Sequence, residues 1–238
     1  MGPNTPIVLV YHSVAHMHKK DDPFKLNVPP DLFETHMKML SQVLKKRDIL
    51  VTFDDGYESF YHHAFPILLK YKIPTQLFVA TDFIDKKITF DHLFHQKNLR
   101  PLTWEELKII AQNGISIGSH SLSHSMLAKL PYPQVYVELA ESKKRIEQNV
   151  GYPVMDFAYP FGSRSSLNDI TKKTVQECGY EKAYLNLMGF NRVGDDCFAL
   201  RRIRIYPTDS SLLFKMKIKG LLNWIDWINS IRKSPIPS

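Results

Sequence analysis

Ile49-Leu50-Val51-Thr52-Phe53 is an apolar, β-branched run that breaks off at Asp54-Asp55-Gly56. A short continuous run of this kind, ending at a glycine, reads as a strand buried on both faces, as strands of parallel sheets are. Ile7–Tyr11, Thr75–Ala80, Ile115–Ser119, Val154–Tyr159, Ala183–Leu187 and Leu200–Ile205 share its character. Helical patterns fill the gaps. Phe33, Met37, Leu40 and Leu44 recur at helical spacing behind Asp31 and Glu34, an acidic analogue of a capping box; Thr103 with Glu106 repeats the signal, and Gly114 ends that helix. Leu139, Ile146 and Val150 mark a helix closed by Gly151, and Ser166 with Asp169 opens one that Gly179 closes. Strand and helix alternate, which predicts parallel strands with crossover helices: an open doubly wound sheet or a (β/α) barrel.

The remaining features bound the class. At 238 residues the chain fits one large α/β domain, and 44% hydrophobic with 23% charged residues is ordinary for a globular protein. Cys178 and Cys197 form no CxxC pattern, so neither a disulfide framework nor a thiolate zinc site is indicated, and both read as buried or half-buried thiols. Met1 to Pro6 run straight into the first strand without a basic leader or long apolar segment, which points to a cytoplasmic protein, although a trimmed secreted form would start the same way. No apolar stretch is long enough for a spanning helix. The formal charge of +7 favours anionic partners such as phospholipid headgroups, phosphorylated glycans or nucleic acid. Nucleic acid is the least supported of these, for want of any recognition motif.

In such folds the site lies beyond the C-terminal strand ends. Asp54, Asp55, His120, His12 and Tyr159-Pro160-Phe161-Gly162 all fall there, and the segment from Thr81 to Pro101 is expected to loop over that rim. His120-Ser121-Leu122-Ser123-His124 can turn two imidazoles to one side of a turn or loop, and Asp55 completes an Asp-His-His set for a divalent cation. Zinc suits these donors best, with cobalt, nickel, iron or manganese as alternatives. Asp54 then orients or accepts a proton from water, or else is a turn carboxylate ahead of Gly56. Amide hydrolysis also needs a proton donor and an oxyanion donor. None of the ten histidines follows His124, and His12, ending the first strand, is the best placed acid; a strand-end hydrogen bond is the alternative. The Phe161 N–H, between Pro160 and Gly162, can point into a cleft or belong to an ordinary βα turn. Asp91, His92 and His95 read as solvated loop residues beside Lys86, Lys87 and Lys97.

In order and spacing, Thr52-Phe53-Asp54-Asp55-Gly56, His120-Ser121-Leu122-Ser123-His124 and Phe157-Ala158-Tyr159-Pro160-Phe161-Gly162 resemble the polysaccharide deacetylases, the NodB-like carbohydrate esterase family. The resemblance spans residues 7 to 206. It implies a distorted (β/α) barrel of about seven parallel strands and metal-dependent removal of an N-acetyl group from an amino sugar. It makes Asp54 the base, Asp55, His120 and His124 the metal ligands, and the Phe161 backbone an oxyanion donor. Two departures stand out. Ala158 replaces an arginine that in many members orients the base, and no late histidine supplies the usual acid. Tyr11-His12 and Leu200-Arg201-Arg202-Ile203 are similar to the branch acting on poly-N-acetylglucosamine, in which a histidine after the first strand is proposed as the acid. Arg202 is then expected to supply the missing guanidinium. The rival reading is a catalytically silent glycan-binding or scaffold protein of this fold.

These features divide the chain into a deacetylase-like domain, 1–206, and a C-terminal segment, 207–238. Phe214, Ile218, Leu221, Leu222, Ile225, Ile228 and Ile231 follow one helix face, with Lys215, Lys217, Lys219, Arg232 and Lys233 around it and Trp224 and Trp227 beside it. Such a basic amphipathic helix docks on its own domain or lies on an anionic membrane. The membrane reading makes the protein peripheral to the inner membrane and its substrate a lipid-linked amino sugar rather than a polymeric N-acetylated glycan.

Overall fold

The computed structural model describes residues 6–44, 47–90 and 99–222. The chain runs β1 (Ile7–Tyr11), β2 (Ser13–Val14), β3 (Asn27–Val28), α1 (Pro30–Val43), β4 (Ile49–Phe53), α2 (Phe65–Tyr71), β5 (Thr75–Val79), α3 (Thr81–Ile84), α4 (Trp104–Gln112) and β6 (Ser116–Ser119). It continues through α5 (Tyr132–Val150), β7 (Asp156–Ala158), α6 (Asp169–Glu177), β8 (Lys182–Leu185), β9 (Leu200–Arg201), β10 (Ile203–Arg204) and α7 (Ser211–Ile218). All seven apolar runs expected to be strands are strands. They form one parallel sheet in the order β10-β1-β4-β5-β6-β7-β8-β9.

The last run closes the barrel. Leu200–Arg201 pairs with β8 while Ile203–Arg204 pairs with β1, so a single segment, divided at Arg202, bonds to both edges of the sheet. The eight strand segments are therefore a seven-stranded (β/α) barrel whose final strand is split. Inside, Val8, Phe78, Ala158 and Tyr184 pack with Leu50 and Leu200 as an apolar floor. Gly118 belongs to that floor: a Cβ there would lie 2.5 Å from the Phe78 ring and 2.9 Å from the Asp156 carbonyl, and only glycine admits a phenylalanine so close. Outside, the helices cover the other strand face in the larger core, which includes Leu9, Phe53, Met37, Leu107 and Leu139.

Several helix ends differ from expectation. Thr103 and Glu106 do form a capping box, and α5 ends at Gly151 in the left-handed conformation, φ 83°. α1, however, starts at Pro30 with no side-chain cap; proline fixes the entry angle itself, and Asp31 lies within the first turn. α6 is capped by Asn168 paired with Thr171 rather than by Ser166. Cys178 is half-buried as expected, but Cys197 is exposed, and both are free.

The C-terminal face is interrupted. α7 ends at Ile218, and Gly220 at φ 74° turns the chain, so the single helix expected through Ile231 does not run through this point. Residues 223–238, with Trp224, Trp227, Arg232 and Lys233, lie outside the described residues. α7 docks on the domain: the Phe214 ring stacks on His36 at 3.9 Å, and Lys217 is buried, its Nζ donating to the Asp209 carboxylate and the Arg204 carbonyl. Among the described residues no helix is long and apolar enough to cross a membrane.

Candidate metal centre and catalytic cleft

At the end of β4 the backbone turns sharply. Asp55 and Gly56 both have positive φ, 77° and 91°, and a Cβ on residue 56 would lie 2.9 Å from Ile84. Glycine is thus required there. Asp55, unusually for a non-glycine residue, adopts the left-handed conformation, and the turn sends the two carboxylates to different partners.

Asp55 meets the two imidazoles. Its Oδ1 lies 3.5 Å from His120 Nε2 and 3.4 Å from His124 Nε2. Ligand atoms at the corners of a tetrahedron around zinc, with bonds of ~2.05 Å, stand roughly 3.3 Å apart. The donor set fits a cation. The His120 Nδ1–H donates to the Ala158 carbonyl at 2.7 Å, which fixes the tautomer and leaves Nε2 as the ligand atom. Burial lowers the His120 pKa and so favours the neutral imidazole that a metal needs. Burial, reinforced by the Asp54 charge, raises the Asp55 carboxyl to about 7, as suits a carboxylate meant to face a cation. The 120–125 loop is held from below by Glu138 of α5, whose carboxylate accepts the N–H groups of Leu122 and Ser123.

Asp54 turns inward to Arg202. The two guanidinium nitrogens Nη1 and Nη2 donate to Oδ1 and Oδ2, each at 2.7 Å, and neither side chain is exposed. Arg202 is itself fixed by Thr52 Oγ1 and Asn186 Oδ1, and its guanidinium lies over the Phe78 and Tyr184 rings. Burial alone would raise the Asp54 carboxyl; the Arg202 charge, with His120 and His12, overrides it and holds the group at about 2. Arg202 thus reaches the Asp54 carboxylate from the break in the split final strand, as expected of the guanidinium partner.

His12 lines the cleft beside Asp54 and Asp55. Burial lowers its pKa to about 3 against the pull of Asp54, so the ring is neutral near pH 7. Phe161 also lines the cleft, at φ 64°, with its ring against His124 and its N–H without a hydrogen-bond partner among the described residues. Gly162 is obligatory behind it, because a Cβ would lie 2.6 Å from the Asn186 side chain. The cleft has a volume of about 480 Å³, and Ile88, Thr89 and Phe90 wall one side, as expected of the loop after β5. Asp91, His92 and His95 lie outside the described residues. His36 is buried between Tyr11 and Phe214, away from the cleft.

Thr52, Asn186 and Glu138 escaped the reading of the sequence. Thr52 and Asn186 share the inward strand parity of Asp54 and Tyr184, which was the available signal. Glu138 has none, being an acidic residue on an otherwise unremarked helix face.

Comparison with known proteins agrees with the fold. The family profile described as polysaccharide deacetylase matches residues 41–183. The Bacillus subtilis polysaccharide deacetylase homologue YxkH is 31% identical over 233 residues, covering 90% of this chain and 76% of its own length. A Staphylococcus aureus poly-β-1,6-N-acetyl-D-glucosamine N-deacetylase is 29% identical over 148 residues, covering 58% of this chain but only 48% of the staphylococcal protein. A solved polysaccharide deacetylase from Bacillus cereus superposes with a TM-score of 0.75 at 26% identity, over 90% of this chain and 69% of its own. On the profile match and the extent of the similarity to YxkH, this chain belongs to the polysaccharide deacetylase family.

Proposed function

We propose that the cleft hydrolyses the N-acetyl amide of an amino sugar, of the N-acetylglucosamine type in a polysaccharide or a lipid-linked sugar, and releases acetate. The observation that carries this reading is the spacing of Asp55, His120 and His124, close to the edge of a tetrahedral site, beside an ionised and immobilised Asp54. Those three residues would hold a divalent cation, zinc for preference. When bound it supplies Lewis acidity toward the amide carbonyl and toward water.

The chain's own groups do the rest. Asp54, pinned by both guanidinium nitrogens, orients water and receives its proton; its low pKa makes it a weak base that hands the proton on. The Phe161 N–H donates to the carbonyl oxygen as negative charge develops there. His12, neutral at rest, can deliver only a proton it has first accepted, and gives it to the nitrogen as the C–N bond breaks. Water adds, the bond cleaves, and acetate and a free amine leave. Two observations favour this reading over a silent scaffold: Arg202 bonds the Asp54 carboxylate, and His12 lines the cleft.

Acetate release from an N-acetylglucosamine oligomer and from a lipid-linked acetamido sugar, by zinc-loaded protein, is the test. Release is expected from at least one, and Asp54→Asn should reduce it by roughly 100-fold or more. No release from either, or release indifferent to Asp54→Asn, overturns the reading.

A further inference from the structure

Arg204, two residues beyond Arg202, reaches the same cleft in a different state. Arg202 spends its charge on Asp54, Thr52 and Asn186. The half-buried Arg204 side chain lines the cleft wall, its guanidinium 4.9 Å from the Tyr206 ring centroid. Its Nη2 donates to the Phe24 carbonyl at 3.0 Å, its Nε is buried without a partner, and no carboxylate among the described residues forms an ion pair with it. The result is a cation in a cleft whose other arginine is already neutralised.

Such a group selects by sign. A half-buried guanidinium with no carboxylate in contact attracts a phosphate or carboxylate, and its planar fork suits bidentate contact with either. It repels an ammonium, the group that deacetylation leaves on a neighbouring sugar. The Phe24 ring, 57% exposed and also lining the cleft, offers an apolar face beside it for a pyranose.

We propose that Arg204 determines specificity by binding an anionic oxygen group, phosphate or carboxylate, carried by the acetamido sugar or its neighbour. This rests on the deacetylase reading of the same cleft and narrows its substrate to anionic amino sugars. The alternative role for Arg204 is purely structural, a clamp that ties the loop at Phe24 to the barrel.

Calorimetric affinities of zinc-loaded protein for N-acetylglucosamine, N-acetylglucosamine 1-phosphate and N-acetylmuramic acid separate the two, measured for wild type, Arg204→Lys and Arg204→Gln. The glutamine variant removes the charge and keeps a polar amide, while the lysine variant keeps the charge without the guanidinium fork. Wild type should bind one anionic sugar on the order of 10- to 100-fold tighter than the neutral one, the range of a charge-assisted hydrogen bond. The sugar preferred identifies phosphate or carboxylate as the group read. Arg204→Gln should abolish the preference with neutral-sugar affinity unchanged, and Arg204→Lys should keep part of it. Equal binding of all three sugars by wild type, a preference that survives Arg204→Gln, or equal weakening of every ligand overturns the proposal. Because the readout is binding, missing acetate release would count against the deacetylase reading alone.

Discussion

Replacing Arg202 by methionine probes the buried pair on which the cleft depends. The substitution removes both bonds to Asp54 and leaves a carboxylate with no solvent access. Breaking one side of a buried, hydrogen-bonded ion pair costs about 3–5 kcal/mol. For a domain of this size each kcal/mol moves Tm by about 2–4 °C, so a fall of roughly 6–20 °C is expected. The sign of the pH dependence follows from Asp54. In the wild type its folded pKa, about 2, lies below the ordinary 3.8, so its contribution is present above about pH 4 and lost as pH falls through 2. Without Arg202, burial pushes the group upward instead, and protonation relieves the strain. The gap between the two proteins should therefore be widest at pH 7 and narrow toward pH 4. Urea unfolding of metal-free protein at both pH values reads it, and the Asp54→Asn, Arg202→Met double variant completes a cycle with a coupling of about 2–4 kcal/mol. A penalty under about 1 kcal/mol, or a coupling near zero, refutes the argument that this pair is a desolvated, mutually dependent unit.

Two further outcomes are expected. Asp55, raised to about 7 in the metal-free protein, must lose its proton to bind a cation, so apparent zinc affinity should fall roughly tenfold per pH unit below about 7; chelator competition between pH 5.5 and 8 measures this, and a flat profile contradicts it. Gly162→Ala places a Cβ 2.6 Å from the Asn186 side chain and 2.8 Å from its backbone nitrogen at φ 63°, so a loss above about 2 kcal/mol is expected in denaturant melts, and an unchanged stability would show that Asn186 yields easily.

The barrel was legible because its strands are short apolar runs, and the cleft because strand residues alternate. Val8, Leu50, Phe78, Ala158, Tyr184 and Leu200 meet inside as the floor. Counting on by twos along the same strands reaches His12, Asp54, Asn186, Arg202 and Arg204, the polar groups above it. That arithmetic needs only a strand's period of two. What it cannot supply is pairing between distant segments. Arg202 meets Asp54 only because the last strand splits and closes the sheet beside β1. Lys217 likewise reads as solvated on a basic helix, and is buried because Asp209, eight residues before it, folds back beneath α7.

The backbone holds a further regularity that sequence periodicity cannot express. Among the described residues seven non-glycine positions have positive φ, and four of them, Asp55, Ser121, His124 and Phe161, belong to the metal centre or the turns that form it, while Lys25, Lys72 and Lys86 lie in other turns. Such conformations cost on the order of 1 kcal/mol or more each and persist only where the surroundings fix them. Here the fixing is visible: Gly56 is packed under Ile84, Glu138 anchors the 120–125 loop, and the Asn186 backbone N–H bonds the Gly162 carbonyl. Ordinary strand ends would send these side chains apart along the rim. The left-handed turns bend Asp55 and His124 back to within 3.4 Å of one another, so the convergence of ligands is bought with backbone strain that the barrel's packing sustains.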